Sequence, residues 1–304
     1  MKTILTSLII FTFSTAFAQK WVDLANVYWN TSPANAADST NSKWNLNTFA
    51  IDLKAPVVLN DDNVLLFGLA HQQNVITDNV NLNGDNSLKF SSSMIQIGWE
   101  HKWNAKSKML FMSMTRLNTD FKFVDLSHFQ QGAVALGTTS RSEKFDWKYG
   151  LYYNAEFFGP MFVPLFGFNW AINEKWRLKM VIPVNLELSY MPSDKFRTGL
   201  RFDGVNASYR TNLNTNLNWI DGYHIDKADN NAWAFAEFNL GKNVWIHAKA
   251  GYSIIRKYRI YEDSDQMNVK FGPVNVGDDR VETNRMFKNG LNFEARFIYR
   301  LPLD

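Results

Sequence analysis

The 304-residue chain contains no cysteine. That excludes disulfides, cysteine-ligated zinc or iron–sulfur centres, a thiol nucleophile and a lipid-modified cysteine behind a leader peptide. A dominant charge is also missing. The 32 Lys and Arg against 29 Asp and Glu leave a net charge of +3, too small a field to draw nucleic acid. Mean hydropathy is -0.27, whereas a bundle of spanning helices, each needing about 20 apolar residues, would score above zero. The one later uncharged stretch of comparable length, 157–173, contains Gly159, Pro160, Pro164 and Gly167. These would break a helix, so the stretch is read as a kinked strand.

What is present begins with an export signal. Lys2 gives a positive start, Ile4 to Phe13 an apolar stretch, and Ala16-Phe17-Ala18 a small-residue cleavage site that would leave Gln19 as the new N-terminus. Residues 1–18 are read as a signal peptide and 19–304 as one exported unit. Aromatic residues make up 15% of the chain, which suits rings lining both interfaces of a membrane.

Period two dominates the remainder. Trp176, Leu178, Met180, Ile182, Val184, Leu186, Leu188 and Tyr190 share one face; Arg177, Lys179, Val181, Pro183, Asn185, Glu187 and Ser189 share the other. Met180 is thus expected to meet lipid and Val181 the lumen. Such a run outlasts a soluble strand of about 5–6 residues and suits a tilted strand crossing a bilayer, which needs about 9–11. The pattern recurs over 145–157, 244–254 and 291–301, and more faintly over 44–57, 64–76, 88–103 and 109–123, with 20–30 as the first strand. Short polar connections at 60–63, 104–107, 173–175 and 241–243 alternate with long ones near 78–86, 124–144, 213–230 and 260–287. Outer-membrane barrels sort their periplasmic turns and external loops in this way. Trp99, Trp103, Trp170, Trp176 and Trp245 lie beside the short turns and read as an aromatic belt. The expected fold is all-β: a transmembrane antiparallel up-and-down β-barrel of about 12 strands, or 10 if 196–220 is an external loop.

The Ala16-Phe17-Ala18-Gln19 junction is one of several local features. Phe158-Gly159-Pro160 leads into Pro164-Leu165-Phe166-Gly167; a turn, Trp176 and Pro183 follow, then Gly199-Leu200-Arg201-Phe202 and Tyr209-Arg210. With these features the chain resembles the uncharacterised outer-membrane β-barrel families of Bacteroidota that carry only a domain-of-unknown-function label. The resemblance implies the fold and a place in the outer membrane of a Gram-negative cell. It brings no activity, cofactor or catalytic residue.

The residues themselves point away from catalysis. His71, His101, His128, His224 and His247 include no H-x-x-x-H pair for a helix-borne zinc site, and neither a G-x-S-x-G elbow nor a phosphate-cradling glycine loop occurs. His224 and Asp226 are read as part of a solvated loop, and His247 as a hydrogen-bonded lumen residue. Asp61-Asp62 and Asp278-Asp279 are read as turn polarity, and Glu262, Asp263 and Asp265 as surface charge. Arg256, Lys257 and Arg259 are set at an external rim, either to meet lipopolysaccharide phosphates or simply as basic residues just above the hydrocarbon.

The lumen is the expected site. Arg177, Lys179, Lys148, Lys249, Arg296, Lys54 and Arg300 are assigned to it, as are Glu187, Glu156, Glu294, Asp52, Glu100 and Asp146. A selective ion channel tends to show one predominant sign, whereas this balance suits pairing across a narrow interior. The expectation is a non-enzymatic outer-membrane barrel without cofactor or metal, acting in passage or binding of a small solute. The alternative is a closed structural or surface-interaction barrel without transport activity; an outer-membrane hydrolase ranks below both.

Overall fold

The computed structural model describes residues 21–36, 43–78, 87–215, 218–281 and 288–302. The expected signal peptide lies outside them. Sixteen strands occur among the described residues: β1 (Trp21–Ala36), β2 (Lys43–Asn60), β3 (Asn63–Asp78), β4 (Ser87–Asn104), β5 (Ser107–Thr119), β6 (Phe129–Ser142), β7 (Phe145–Glu156), β8 (Gly159–Ala171), β9 (Trp176–Ile182), β10 (Asn185–Ser193), β11 (Phe196–Thr215), β12 (Asn218–Gly241), β13 (Val244–Glu262), β14 (Val269–Phe271), β15 (Val274–Val276) and β16 (Leu291–Pro302). β14 and β15 form a small side hairpin. The other fourteen pair antiparallel with their chain neighbours, and β16 joins β13 to β1 so that the sheet closes on itself. Toward the short-turn end, where β8 meets β9, closure leaves no exposed sheet edge around the ring.

The count is fourteen rather than twelve for two reasons. β6 occupies much of the stretch expected to be the loop 124–144. Its inward Val134 and Leu136 and outward Ala133 and Ala135 invert the usual contrast between faces. The 15-residue run from Trp176 to Tyr190 is two strands joined at Pro183-Val184. Three residues, 182–184, separate the last pair, Val181 and Asn185; an odd-length connection pairs even positions with even ones, so alternation passes through it unbroken.

The outer wall is apolar. Leu53, Leu69, Ile95, Ile97, Leu200 and Phe297 each stand at least 45% exposed along its middle. Trp99, Trp103, Trp170 and Trp176 ring the short-turn end, while Trp29, Phe49 and Phe129 point outward nearer the other end. Trp245 departs from the expected belt: it is buried and faces inward under Arg300, 5.1 Å from the ring centroid. A continuous apolar band of this kind is out of place in water.

Two irregularities shape the interior. β9 and β10 are short, so the upper half of β8 has no β9 partner. β14 takes that position in parallel, through Lys270 beside Met161 and Phe271 beside Phe162. Gly159, at φ 119°, lets the carbonyl of Met267 approach where a side chain would clash. The second irregularity is the length of β11, β12 and β13. Their upper parts form a three-stranded blade that leaves the wall and crosses the lumen at the long-loop end. The expected loop 213–230 therefore belongs mainly to blade strands.

Candidate functional site: a plugged mouth and a cationic cavity

The blade is buried on both faces. One face carries Ala207, Tyr209, Ile225, Tyr258 and Ile260, which pack on the inward Leu46, Ile76 and Phe90 of β2–β4. Phe90 meets Tyr209 edge-on with centroids 4.7 Å apart. The other face is polar. Ser208 donates to the fully buried Glu156 carboxylate from its backbone N (2.8 Å) and hydroxyl (2.6 Å), and accepts from Gln130 Nε2 at 2.9 Å. Asn118 donates to the Ser208 carbonyl at 2.9 Å. On the apolar face, Lys227, between Ala207 and Tyr258 in the ladder, donates to Asn74 of β3 at 3.0 Å. Every wall strand from β2 to β7 thus touches the blade or is bonded to a group that does.

His224 is buried on the blade, not solvated in a loop. Its two ring nitrogens stand 3.5 Å from Asp226 and Asp263. Arg280, from the segment after β15, bonds Asp226 at 2.7 Å and lies 4.1 Å from the Tyr261 ring centroid. It also bonds Asp278 at 2.7 Å, which holds that loop carboxyl below its usual range. Arg256 is likewise not at the rim. Ile254 bulges between the Asn231–Ser253 and Asn230–Ile255 pairs, which flips the phase of β13. Arg256 then turns inward to Asp229, Ser32 and Asn292, while Lys257 stays exposed and outward.

Below the blade a cavity of about 410 Å³ remains toward the short-turn end, a size for a small solute. Its hub is Trp21, at the start of β1. The cationic groups of Arg177, Lys179, Arg197 and Arg300 lie 5.4, 5.5, 5.7 and 5.2 Å from Trp21 ring centroids. Glu237, 1% exposed, ties the far side together. It accepts from Arg197 at 2.7 Å and Arg300 at 3.0 Å, and faces His247 Nδ1 at 3.0 Å. Arg300 also reaches Asp23 at 2.5 Å. Glu187 is held by Arg197 and, at 3.3 Å, by Arg201, which bonds Asp203 at 2.7 Å.

The residues expected in the lumen all lie on inward positions, but not in one place. Arg177, Lys179, Glu187 and Arg296 surround the cavity with Trp21. Lys249 and Arg296 share Glu294, at 3.0 and 2.7 Å, just above it. Lys148 points inward on β7, across the β6 ladder from Lys108. Glu156 is separate: it belongs to the blade latch.

Sequence reasoning missed Trp21, Asp23, Arg197, Arg201 and Glu237. Arg197 and Arg201 carried a usable signal, since Arg197, Gly199, Arg201 and Asp203 alternate with Phe196, Thr198, Leu200 and Phe202. Glu237 had little, because its inward neighbours Trp233 and Phe235 are bulkier and more apolar than the outward Ala232, Ala234 and Ala236. Among the described residues no cluster of His, Asp or Glu suits a metal ion.

Residues 78–294 match a family defined as a domain of unknown function, DUF6268, and the chain belongs to that family. No curated protein matches it in sequence. Its fold is similar to that of the COG4313 outer membrane channel from Pseudomonas putida F1, at TM-score 0.51 and 9% identity, covering 93% of this chain and 96% of that one. The NanC porin aligns at TM-score 0.38 and 7% identity, over 91% of this chain and 100% of that one. The translocator domain of the autotransporter NalP from Neisseria meningitidis aligns at TM-score 0.37 and 11% identity, over 92% and 89%. These last two likenesses are too slight to carry an argument.

Proposed function

We propose that this DUF6268 protein is a small-solute barrel of a Gram-negative outer membrane, non-enzymatic, with its external mouth held shut by the blade and its cavity open toward the periplasm. The observation that carries this reading is the blade: an element that crosses a barrel with both faces buried blocks free diffusion while leaving a solute-sized space beneath. The apolar outer wall supports insertion in lipid, since closing the sheet pairs its backbone groups internally rather than leaving them to hydrocarbon. The short-turn end is assigned to the periplasm and the long-loop end to the exterior. There the outward, exposed Lys257 is suited to lipopolysaccharide phosphates.

Planar-bilayer recording tests the reading. The intact protein is expected to give little steady conductance. A variant in which an Asn-Gly turn joins Val205 directly to Asp229, removing the blade tip, is expected to conduct steadily. Large, stable conductance from the intact barrel overturns the closed mouth. A silent shortened variant that still shows the barrel's gel mobility favours a purely structural barrel.

Orientation has its own test. Protease added to intact cells is expected to cut within 263–290 and to spare the 143–144 turn. Cleavage confined to that turn reverses the assignment.

A further inference from the structure

We infer that the cavity beneath the blade binds a small amphiphilic carboxylate, an anion with an apolar body, and that Lys179 is the residue that receives its charge. The inference rests on the barrel reading only in taking the cavity as the space a solute reaches.

The charge pattern leads to Lys179. The cavity and the residues in contact with its wall bring together eight cations: Lys54, Arg177, Lys179, Arg197, Arg201, Lys249, Arg296 and Arg300. They face six carboxylates: Asp23, Asp52, Glu187, Asp203, Glu237 and Glu294. Each of those carboxylates is engaged by a cation other than Lys179: Asp23 by Arg300, Asp52 by Lys54, Glu187 by Arg197 and Arg201, Asp203 by Arg201, Glu237 by Arg197 and Arg300, and Glu294 by Lys249 and Arg296. Glu187 lies directly across the β9–β10 ladder from Lys179, yet its oxygens go to the two arginines. Lys179 rests instead over the face of Trp21, at 5.5 Å. An ammonium in a confined space, with its cross-strand acid taken by others, is poised for an incoming anion. Arginines already committed to bidentate partners do not move to meet one.

The apolar half of the ligand follows from the other flank. Pro56, Leu66 and Met112, inward from β2, β3 and β5, line the same cavity across from Lys179, and Ile298 adds to them. A hydrophilic anion such as phosphate would leave this flank in contact with nothing it can desolvate. A carboxylate on a short hydrocarbon body satisfies both walls.

Isothermal titration on the refolded full barrel in lipid nanodiscs tests this, with hexanoate as probe, hexan-1-ol and hexylamine as its neutral and cationic counterparts, and inorganic phosphate as a hydrophilic anion. Empty nanodiscs give the lipid background. Hexanoate is expected to bind saturably and each of the others at least about tenfold more weakly. Lys179→Met keeps the stem and removes the charge. It leaves no described carboxylate without its partner, so it should fold, and it should weaken hexanoate by about tenfold, the usual scale for one charge-assisted contact. Lys257→Met, on the outer face, should leave binding unchanged.

Equal binding of hexan-1-ol overturns the charge requirement. Phosphate binding as well as hexanoate overturns the apolar half, and a Lys179→Met protein that binds normally overturns the residue assignment. No saturable hexanoate binding to the intact barrel overturns the whole. Titration is independent of conductance, so hexanoate binding by a barrel whose shortened-blade form stays silent would retain this inference and discard the gated-passage reading.

Discussion

Glu237→Ala should lower the stability of the refolded barrel by about 3–5 kcal/mol, the scale for removing one partner from a buried ion pair. The size comes from what is left behind. Arg197, Arg300 and His247 converge on this carboxylate. Without it, two guanidinium groups already close to the Trp21 ring face each other across a space with little water. Glu187 and Asp23 still hold one guanidinium each, which places the expected loss toward the lower end. The same truncation at Glu100, whose described ion pair with Lys108 at 3.0 Å is partly exposed, should cost only about 0–1 kcal/mol. Urea titration of both variants in lipid vesicles, followed by the heat-dependent gel shift, makes the comparison. Combining Glu237→Ala with Arg197→Met should recover part of the loss, because the stranded charge goes with its partner. Equal, small effects at Glu237 and Glu100 would mean that water fills the network and that it contributes little.

How far the sequence carries is visible in where it fails. Residues 145–156 and 291–301 read correctly because an apolar outer face and a mainly polar inner face differ at most steps of β7 and β16, with Tyr152 and Ile298 the inward apolar exceptions. β6 was hidden because its inward Val134 and Leu136 join an apolar patch with Met161, Val163 and Leu165, so the two faces look alike. The β9–β10 turn was hidden for the opposite reason: the contrast was so regular that it ran across the turn. The blade is the largest gap. His224, Asp226 and Lys227 are polar enough to suggest a loop, and only the packing of Tyr209, Ile225 and Tyr258 on the far wall turns that segment into a plug. Local pattern reports which residues differ from their neighbours. It does not report that a strand bends off the wall to meet another wall in the middle of the barrel.

The barrel's relation to lipid is tested by placing one residue at two adjacent positions in β4. Ile97 points outward between Phe67 and Ser113 in the ladder and is 55% exposed. Gln96 points inward and lines the cavity. Met180 and Val181, which periodicity also sets on opposite faces, make a poorer pair. Val181 packs against the Met161–Leu165 cluster, so a charge there would be penalised as well. Ile97→Arg should weaken folding into lipid vesicles by about 2–4 kcal/mol, because hydrocarbon near the bilayer midplane cannot solvate a guanidinium. Gln96→Arg places the same group beside a cavity that already holds Lys54 and Arg296. Their repulsion is softened by water and by Asp52 and Glu294, and the cost should stay within about 1 kcal/mol. In a soluble barrel the order would reverse, since an exposed Ile97→Arg would cost almost nothing in water. Folding yields read as the heat-modifiable gel shift, at matched lipid-to-protein ratio, separate the cases. A Gln96→Arg protein that folds worse than Ile97→Arg would remove lipid from the outer face.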